Sequence, residues 1–211
     1  MTTNKLGLYY TNNNIPKIID YTLQNLAEYS NLVDIKTCSW SPIPNNPFPN
    51  IFAMTTSRNH LNIVVQILQL LYSVSRDQYK YVLFLEHDVI YPKEYFVFPD
   101  FDDGCLMNLN YIGLCELGFQ SLRAVHRPLH QTIMLYDDCV QYFEKLAIKA
   151  IKHNIVIIEP ADSQHTWECP VPPIHINHGK NFTTHFEIYK RQCSTLNKHW
   201  GIYHNIWQKL K

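Results

Sequence analysis

Tyr81-Val82-Leu83-Phe84-Leu85-Glu86-His87-Asp88-Val89 is the stretch on which the rest of the chain is read. Tyr81 to Leu85 is an unbroken apolar and aromatic run with no polar alternation, the pattern of a strand covered on both faces. Strands of that kind sit inside sheets flanked by helices, so the run predicts a central strand of an α/β fold. It ends in two carboxylates, Glu86 and Asp88, separated only by His87. In open α/β sheets, ligands bind beyond the carboxyl ends of the strands. Carboxylate oxygens at such a place suit Mg²⁺ or Mn²⁺, which take one or two protein carboxylates together with substrate phosphates.

Upstream, Leu6-Gly7-Leu8-Tyr9-Tyr10 predicts a first strand, followed by the turn-forming run Thr11 to Asn14. Pro16 opens a helix in which Ile18, Ile19, Leu23 and Leu26 recur at helical spacing. Val33 to Thr37 predicts a second strand. Ser41 to Asn50, with four prolines and three asparagines, predicts an ordered loop. Asn62 to Ser75 predicts a helix with Ile63, Val64, Ile67, Leu68 and Leu71 on one side. Downstream, Tyr111 to Cys115, Gln131 to Tyr136 and Ile155 to Ile158 are further strand candidates. A helix is expected over Cys139 to His153, with Asp137 and Asp138 at its start, where the helix dipole favours negative charge. The alternation predicts an α/β fold: one Rossmann-type domain over residues 1–211, with a mainly parallel central sheet and helices on both faces. From Asp162 onward the chain reads as irregular and rich in histidine, proline and aromatics, and irregular segments capping a sheet are where ligand sites tend to lie.

Composition narrows the function classes. The 211 residues suffice for one domain with a well-buried core. With 46% hydrophobic and 17% charged residues the chain is globular rather than disordered. Eighteen basic side chains balance eighteen acidic ones, which excludes the broad positive field of a strong nonspecific nucleic-acid binder. The six cysteines form no C-x-x-C pair, and their wide spacing is read as reduced, packed thiols of a cytoplasmic protein. Met1 to Lys5 carries no apolar leader and no run approaches eighteen apolar residues, so no transmembrane segment is expected and any work at a membrane is peripheral.

The run from Val82 to Pro92, VLFLEHDVIYP, resembles the DxD motif of GT-A glycosyltransferases, with Glu86 in place of the first acid and Asp88 as the second. It looks nearest to the LEDDV form of the lipooligosaccharide-type transferases, from which it departs by His87 in the middle. The resemblance covers the layout of about residues 5 to 160, and only the Glu86–Asp88 region is specific. It implies a GT-A-like domain whose residues 1–110 bind a nucleotide-sugar and whose residues 111–211 face the acceptor and carry a C-terminal His-rich metal and diphosphate loop. It further implies that the loop entered by Tyr10, Thr11 and Asn13 contacts the nucleoside, that Arg58 contacts the nucleotide, and that His87 lies beside the donor. Asp88 is then a metal ligand, Glu86 contacts the metal or the ribose, and the metal is Mn²⁺ or Mg²⁺. Many such enzymes close the metal site with a C-terminal histidine, for which His175 and His178 are both candidates. An imidazole suits Mn²⁺ better than Mg²⁺. Gly179 lets backbone approach a phosphate, and Lys180 is placed to neutralise a departing diphosphate.

Transfer with inversion also needs a base beside the acceptor hydroxyl. Glu116 and Asp162, each following a predicted strand, are the candidates, whereas Asp137 and Asp138 are read as helix-starting residues. The function expected is metal-dependent transfer of a sugar from a nucleotide-diphospho-sugar, a UDP-sugar first, to an acceptor hydroxyl. A glycan and a hydroxymethylated pyrimidine in phage DNA both stand as acceptors; small size suits the DNA case and neutral charge does not. A metal-dependent hydrolase or nuclease using the same acids with His175 and His178 is the alternative, and a nonenzymatic carbohydrate- or nucleotide-binding domain is a third reading. The H-x-x-H spacing lacks the helix and nearby glutamate of a zinc metalloprotease.

Overall fold

The computed structural model describes residues 3–56, 59–115, 118–121, 128–153, 158, 165–178, 200 and 203–210. The chain opens with β1 (Lys5–Thr11), α1 (Pro16–Ala27), β2 (Asp34–Ser39), β3 (Asn50–Phe52) and α2 (His60–Tyr72). Then come β4 (Tyr81–Glu86), β5 (Val89–Ile90), β6 (Cys105–Asn108), β7 (Ile112–Cys115) and β8 (Gly118–Ser121). β9 (Thr132–Leu135), α3 (Tyr136–His153), β10 (His165–Trp167), β11 (Ile174–Ile176) and α4 (Tyr203–Leu210) complete the described elements.

Seven strands form one sheet in the order β10-β6-β9-β4-β1-β2-β3, so the expected apolar strand β4 lies at its centre. β1 pairs in parallel with both β2 and β4, β2 with β3, and β6 with β10. Among the described strands of this sheet, only β9 runs against its neighbours, β4 and β6. The fold is therefore α/β with a mainly parallel central sheet. Side-chain alternation builds a core on each face. Leu6, Leu8, Val82 and Phe84 pack with Val64, Ile67 and Leu71 of α2 and Phe143 of α3. On the other face, Tyr9, Leu83, Leu85 and Ile133 pack with Ile19, Leu23 and Leu26 of α1 and Leu210 of α4. Burying one such side chain stabilises the fold by about 1.5–3 kcal/mol relative to leaving it in water.

Local chemistry sets the element ends. Pro16 stands at the first turn of α1, where its fixed φ costs no hydrogen bond. Asn59 caps α2 by accepting from the Asn62 N–H at 2.9 Å, so the helix begins two residues before the apolar pattern does. Asp137 and Asp138 fall in the first turn of α3, as expected. Gly7 lets three strands close up: a Cβ there would meet Leu85 Cδ1 at 2.7 Å and Val33 and Ile35 at 3.2 Å.

Two strand expectations are refined. The segment over Gln131 to Tyr136 is a strand, but it is the antiparallel one. The segment over Tyr111 to Cys115 leaves the large sheet and joins a second, four-stranded one, ordered β5-β11-β7-β8. Asn108 causes the departure, because its Oδ1 accepts the Asn110 N–H at 3.1 Å and the Cys169 N–H at 2.9 Å, turning the chain at the end of β6. Within the C-terminal stretch read as irregular, β10, β11 and α4 are regular. The strand expected over Ile155 to Ile158 lies outside the described residues except for Ile158, which packs against the α2–α3 core. Cys38, Cys105, Cys139 and Cys169 are buried, as packed thiols should be.

Candidate active site

β4 ends at Glu86, and a two-residue turn over His87 and Asp88 leads into β5. β5 is only two residues long, yet it pairs antiparallel with β11, placing Val89 opposite His175. The Ile176 N–H donates to the Asp88 carbonyl at 2.7 Å and fastens the turn. That pairing carries His175 across 87 positions of sequence to the carboxylate, with Nε2 3.2 Å from Asp88 Oδ2. His178 Nε2 lies 3.4 Å from the same oxygen. Asp88 and His175 are each 6% exposed, so this contact is made away from bulk water.

Glu86 has other company. The Tyr10 hydroxyl donates to its Oε1 at 3.0 Å, and His130 Nδ1 lies 3.2 Å from its Oε2. The Glu86 N–H donates to the Tyr91 hydroxyl, which in turn donates to the Phe84 carbonyl. Between the two acids, the His87 ring reaches the Tyr10 carbonyl at 3.4 Å, and the His87 carbonyl accepts from Thr22 Oγ1 at 3.2 Å. The His130 and His175 rings lie 5.0 Å apart, and those of His87 and His178 6.3 Å apart.

The charges support one another. Burial pushes the Asp88 carboxyl up, but the adjacent His175 charge, hydrogen bonds from His175 and His178 and the nearby His87 outweigh it, holding Asp88 well below the usual carboxylate range. Burial likewise pushes Glu86 up and is outweighed by the charge and hydrogen bond of His130, leaving Glu86 lowered. Burial pushes His175 down, whereas Asp88, by charge and hydrogen bond, and then Glu86 raise it, and the net direction is up.

Among the described residues two ligand sets share Asp88: His87, Asp88 and His178 form one, and Glu86, Asp88 and His175 the other. Within each, the ligand atoms lie within 4.8 Å of one another. Mixed carboxylate and imidazole donors fit a divalent transition ion such as Mn²⁺ better than Mg²⁺.

The loop side of the site is built differently. Thr11 is buried, and its hydroxyl accepts the Asn13 N–H at 3.1 Å. Asn13 adopts φ 61°, in the left-handed region. Its Oδ1 accepts the N–H groups of Trp40 and Ser41 at 2.9 and 3.2 Å, and its Nδ2 donates to the Ser41 carbonyl at 3.2 Å. The Asn13 amide is thus engaged in clasping the loops after β1 and β2. Beneath it, Gln66 Nε2 donates to the Thr11 and Cys38 carbonyls, tying the same two strand ends together. Of the other residues expected at the site, Arg58, Glu116, Asp162 and Lys180 lie outside the described residues, as does Gly179. Phe119 and Trp167 are partly buried and pack against the core.

Sequence reasoning missed His130. β9 runs antiparallel beside β4, with Leu83 opposite Ile133, and the single 3-10 turn Leu129–Gln131 just ahead of β9 brings His130 to the Glu86 carboxylate at the end of β4. Pro128-Leu129-His130-Gln131 carries no signal of its own until the antiparallel neighbour of β4 is known.

No family model matches the chain, and no curated protein matches it in sequence. Among solved structures it is similar to the apo-form glycosyltransferase GlyE of Streptococcus pneumoniae TIGR4, with a TM-score of 0.50 and 10% identity over 99% of this chain and 60% of that one. A second structure of GlyE gives a TM-score of 0.47 and 11% identity over 98% of this chain and 60% of that one. A glycosyltransferase involved in the glycosylation of the major capsid of PBCV-1 gives 0.44 and 7%, over 81% of this chain and 91% of that one. The first likeness shows a glycosyltransferase fold, and this chain spans 60% of the length of that pneumococcal protein. Among the described residues, no helix is long and apolar enough to cross a membrane.

Proposed function

We propose that the chain is a metal-dependent glycosyltransferase that moves a sugar from a nucleotide-diphospho-sugar, a UDP-sugar in the first instance, to an acceptor hydroxyl. One observation carries this reading: the cluster of Glu86, Asp88, His175 and His178 stands at the carboxyl end of the central strand of a glycosyltransferase fold. In α/β sheets that end is where a phosphorylated ligand docks. Asp88, with Glu86 and His175 or with His87 and His178, would hold Mn²⁺ or Mg²⁺, which supplies positive charge to the diphosphate of the donor.

The chain's own residues do the rest. Asp88 is held ionised and ready to act as an anionic ligand. Tyr10, Thr11, Asn13 and Arg58 are assigned to the nucleoside, Asn13 by fixing the loops rather than by offering its amide. Lys180 is assigned to the departing diphosphate. Glu116 or Asp162 is assigned the base, taking the proton of the acceptor hydroxyl as its oxygen forms the new bond and the sugar–diphosphate bond breaks. Residues 1–110 serve the donor, and residues 111–211 serve the acceptor while also carrying the C-terminal His-rich loop for the metal and diphosphate; the acceptor is a glycan or a hydroxymethylated pyrimidine in DNA.

Thermal unfolding of the protein with a panel of nucleotide-sugars, with and without Mn²⁺, tests the reading. A donor at a hundred times its dissociation constant stabilises the fold by about 2.7 kcal/mol. Stabilisation by a nucleotide-sugar only when Mn²⁺ is present is the expected result, and indifference to every nucleotide-sugar would overturn it. Sugar release without an acceptor, or cleavage of a phosphodiester, would move the same cluster to a hydrolase. For the base, Glu116→Gln and Asp162→Asn are compared. The variant lacking the true base loses about 10²–10⁴ in turnover and keeps its donor affinity.

A further inference from the structure

His130 is 4% exposed and enters the site from the residues just ahead of β9. Its ring packs edge-on against Tyr111, with centroids 5.8 Å apart, and beside His175. Its carbonyl accepts from the Tyr95 hydroxyl at 3.0 Å, so backbone and ring are both held. An ionised carboxylate only accepts, so the proton between His130 Nδ1 and Glu86 Oε2 belongs to Nδ1. Tyr10 donates to the other oxygen of Glu86. A carboxylate held at one oxygen still swings, whereas one held at both has its plane fixed. The grip does not use up the ligand, because each carboxylate oxygen offers two lone-pair sites.

We propose that His130 is a positioning residue of the metal site, holding the Glu86 carboxylate in the plane from which it faces Asp88 and His175. This rests on the metal reading given above. Partners that hold a ligating carboxylate are worth about 10–100-fold in metal affinity. The identity of the donor atom separates this role from mere packing. The side-chain amide nitrogen of asparagine falls near the position of Nδ1, and that of glutamine near Nε2. Only asparagine can therefore restore the hydrogen bond to Glu86.

The test uses the full chain and Mn²⁺ alone, with free Mn²⁺ followed by its paramagnetic resonance signal. His130→Ala and His130→Gln are expected to weaken Mn²⁺ binding by about 10–100-fold, and His130→Asn to stay within about threefold of the parent. The glutamine and asparagine variants should nevertheless unfold at similar temperatures. Equal Mn²⁺ affinity in all variants, affinity that follows unfolding temperature instead of amide position, or a parent protein that does not bind Mn²⁺ would each overturn the proposal. If His130→Ala does not fold, the asparagine–glutamine pair decides alone. Nucleotide-sugar binding by the parent, measured in parallel, keeps the two ideas apart. Mn²⁺ binding without nucleotide-sugar binding sinks the glycosyltransferase reading and leaves the role of His130 to the variants.

Discussion

Glu86 and Asp88 stand two positions apart on one turn, yet they are held by different parts of the molecule. Glu86 is gripped from within the large sheet, by Tyr10 of β1 and by His130 ahead of β9. Asp88 is gripped from the small sheet, by His175 of β11 and by His178 just beyond it. Asp88 also belongs to both possible ligand sets, whereas Glu86 belongs to one. Neighbouring acids of like charge thus become unequal because tertiary pairing gives each its own set of imidazoles.

The widest test of that inequality replaces each acid by its amide. Asp88→Asn keeps size and removes the charge that both ligand sets need. Mn²⁺-dependent donor binding should fall by more than the about 100-fold ceiling typical of outer partners of a metal. Glu86→Gln should weaken it less, by about tenfold to 100-fold, because His87 and His178 still stand beside Asp88. Calorimetric titration of each variant reads both values. Equal losses would erase the distinction between the two acids.

Titration sharpens the Asp88 half. A protonated His175 cannot bind a metal through Nε2, and its environment raises its pKa, so Mn²⁺ affinity should climb as pH rises and level off only above the ordinary imidazole value of about 6.5. Without metal the sign for stability is the reverse. The raised His175 contributes stability that is complete below about pH 6.5 and is lost as pH rises through its folded pKa. The lowered Asp88 contributes stability that is complete above about pH 3.9 and is lost as pH falls through its folded pKa. Unfolding temperature in chelator should therefore be highest between those limits. A Mn²⁺ affinity flat from pH 5 to 8 would remove His175 from the ligands.

The smallest effect is expected on the loop side, where neither acid takes part. Asn13→Gly keeps the left-handed backbone and deletes the clasp to Trp40 and Ser41. Hydrogen bonds of this kind contribute about 0.5–1.5 kcal/mol each, so losing the three of the clasp should show in thermal unfolding as about 1.5–4.5 kcal/mol. Nucleotide affinity should weaken with it, while Mn²⁺ affinity stays unchanged. A variant that lost Mn²⁺ binding would show that the clasp and the carboxylate turn are one unit.

Elements whose signal is local could be read from the order of residues. The apolar run Tyr81–Leu85, the helical spacing after Pro16 and the acids opening α3 each depend on residues close along the chain. Burial on both faces, helical periodicity and dipole complementarity therefore leave their mark directly in the order of residues. The pairing of Glu86 with Asp88 at a strand end was legible for the same reason, and so were His175 and His178 as its candidate companions. Tertiary structure alone decided what depends on strand pairing. The antiparallel run of β9 beside β4 brings His130, in the turn just ahead of it, within 3.2 Å of Glu86, although nothing around Pro128–Gln131 announces it. The turn at Asn108 sends β7 into a second sheet, and that sheet's two-residue strand β5 delivers Asp88 to His175. Strands of two to four residues carry too few side chains for periodicity to register. Their direction and register are fixed by backbone hydrogen bonds to partners tens of residues away, and those bonds are the same for every side chain.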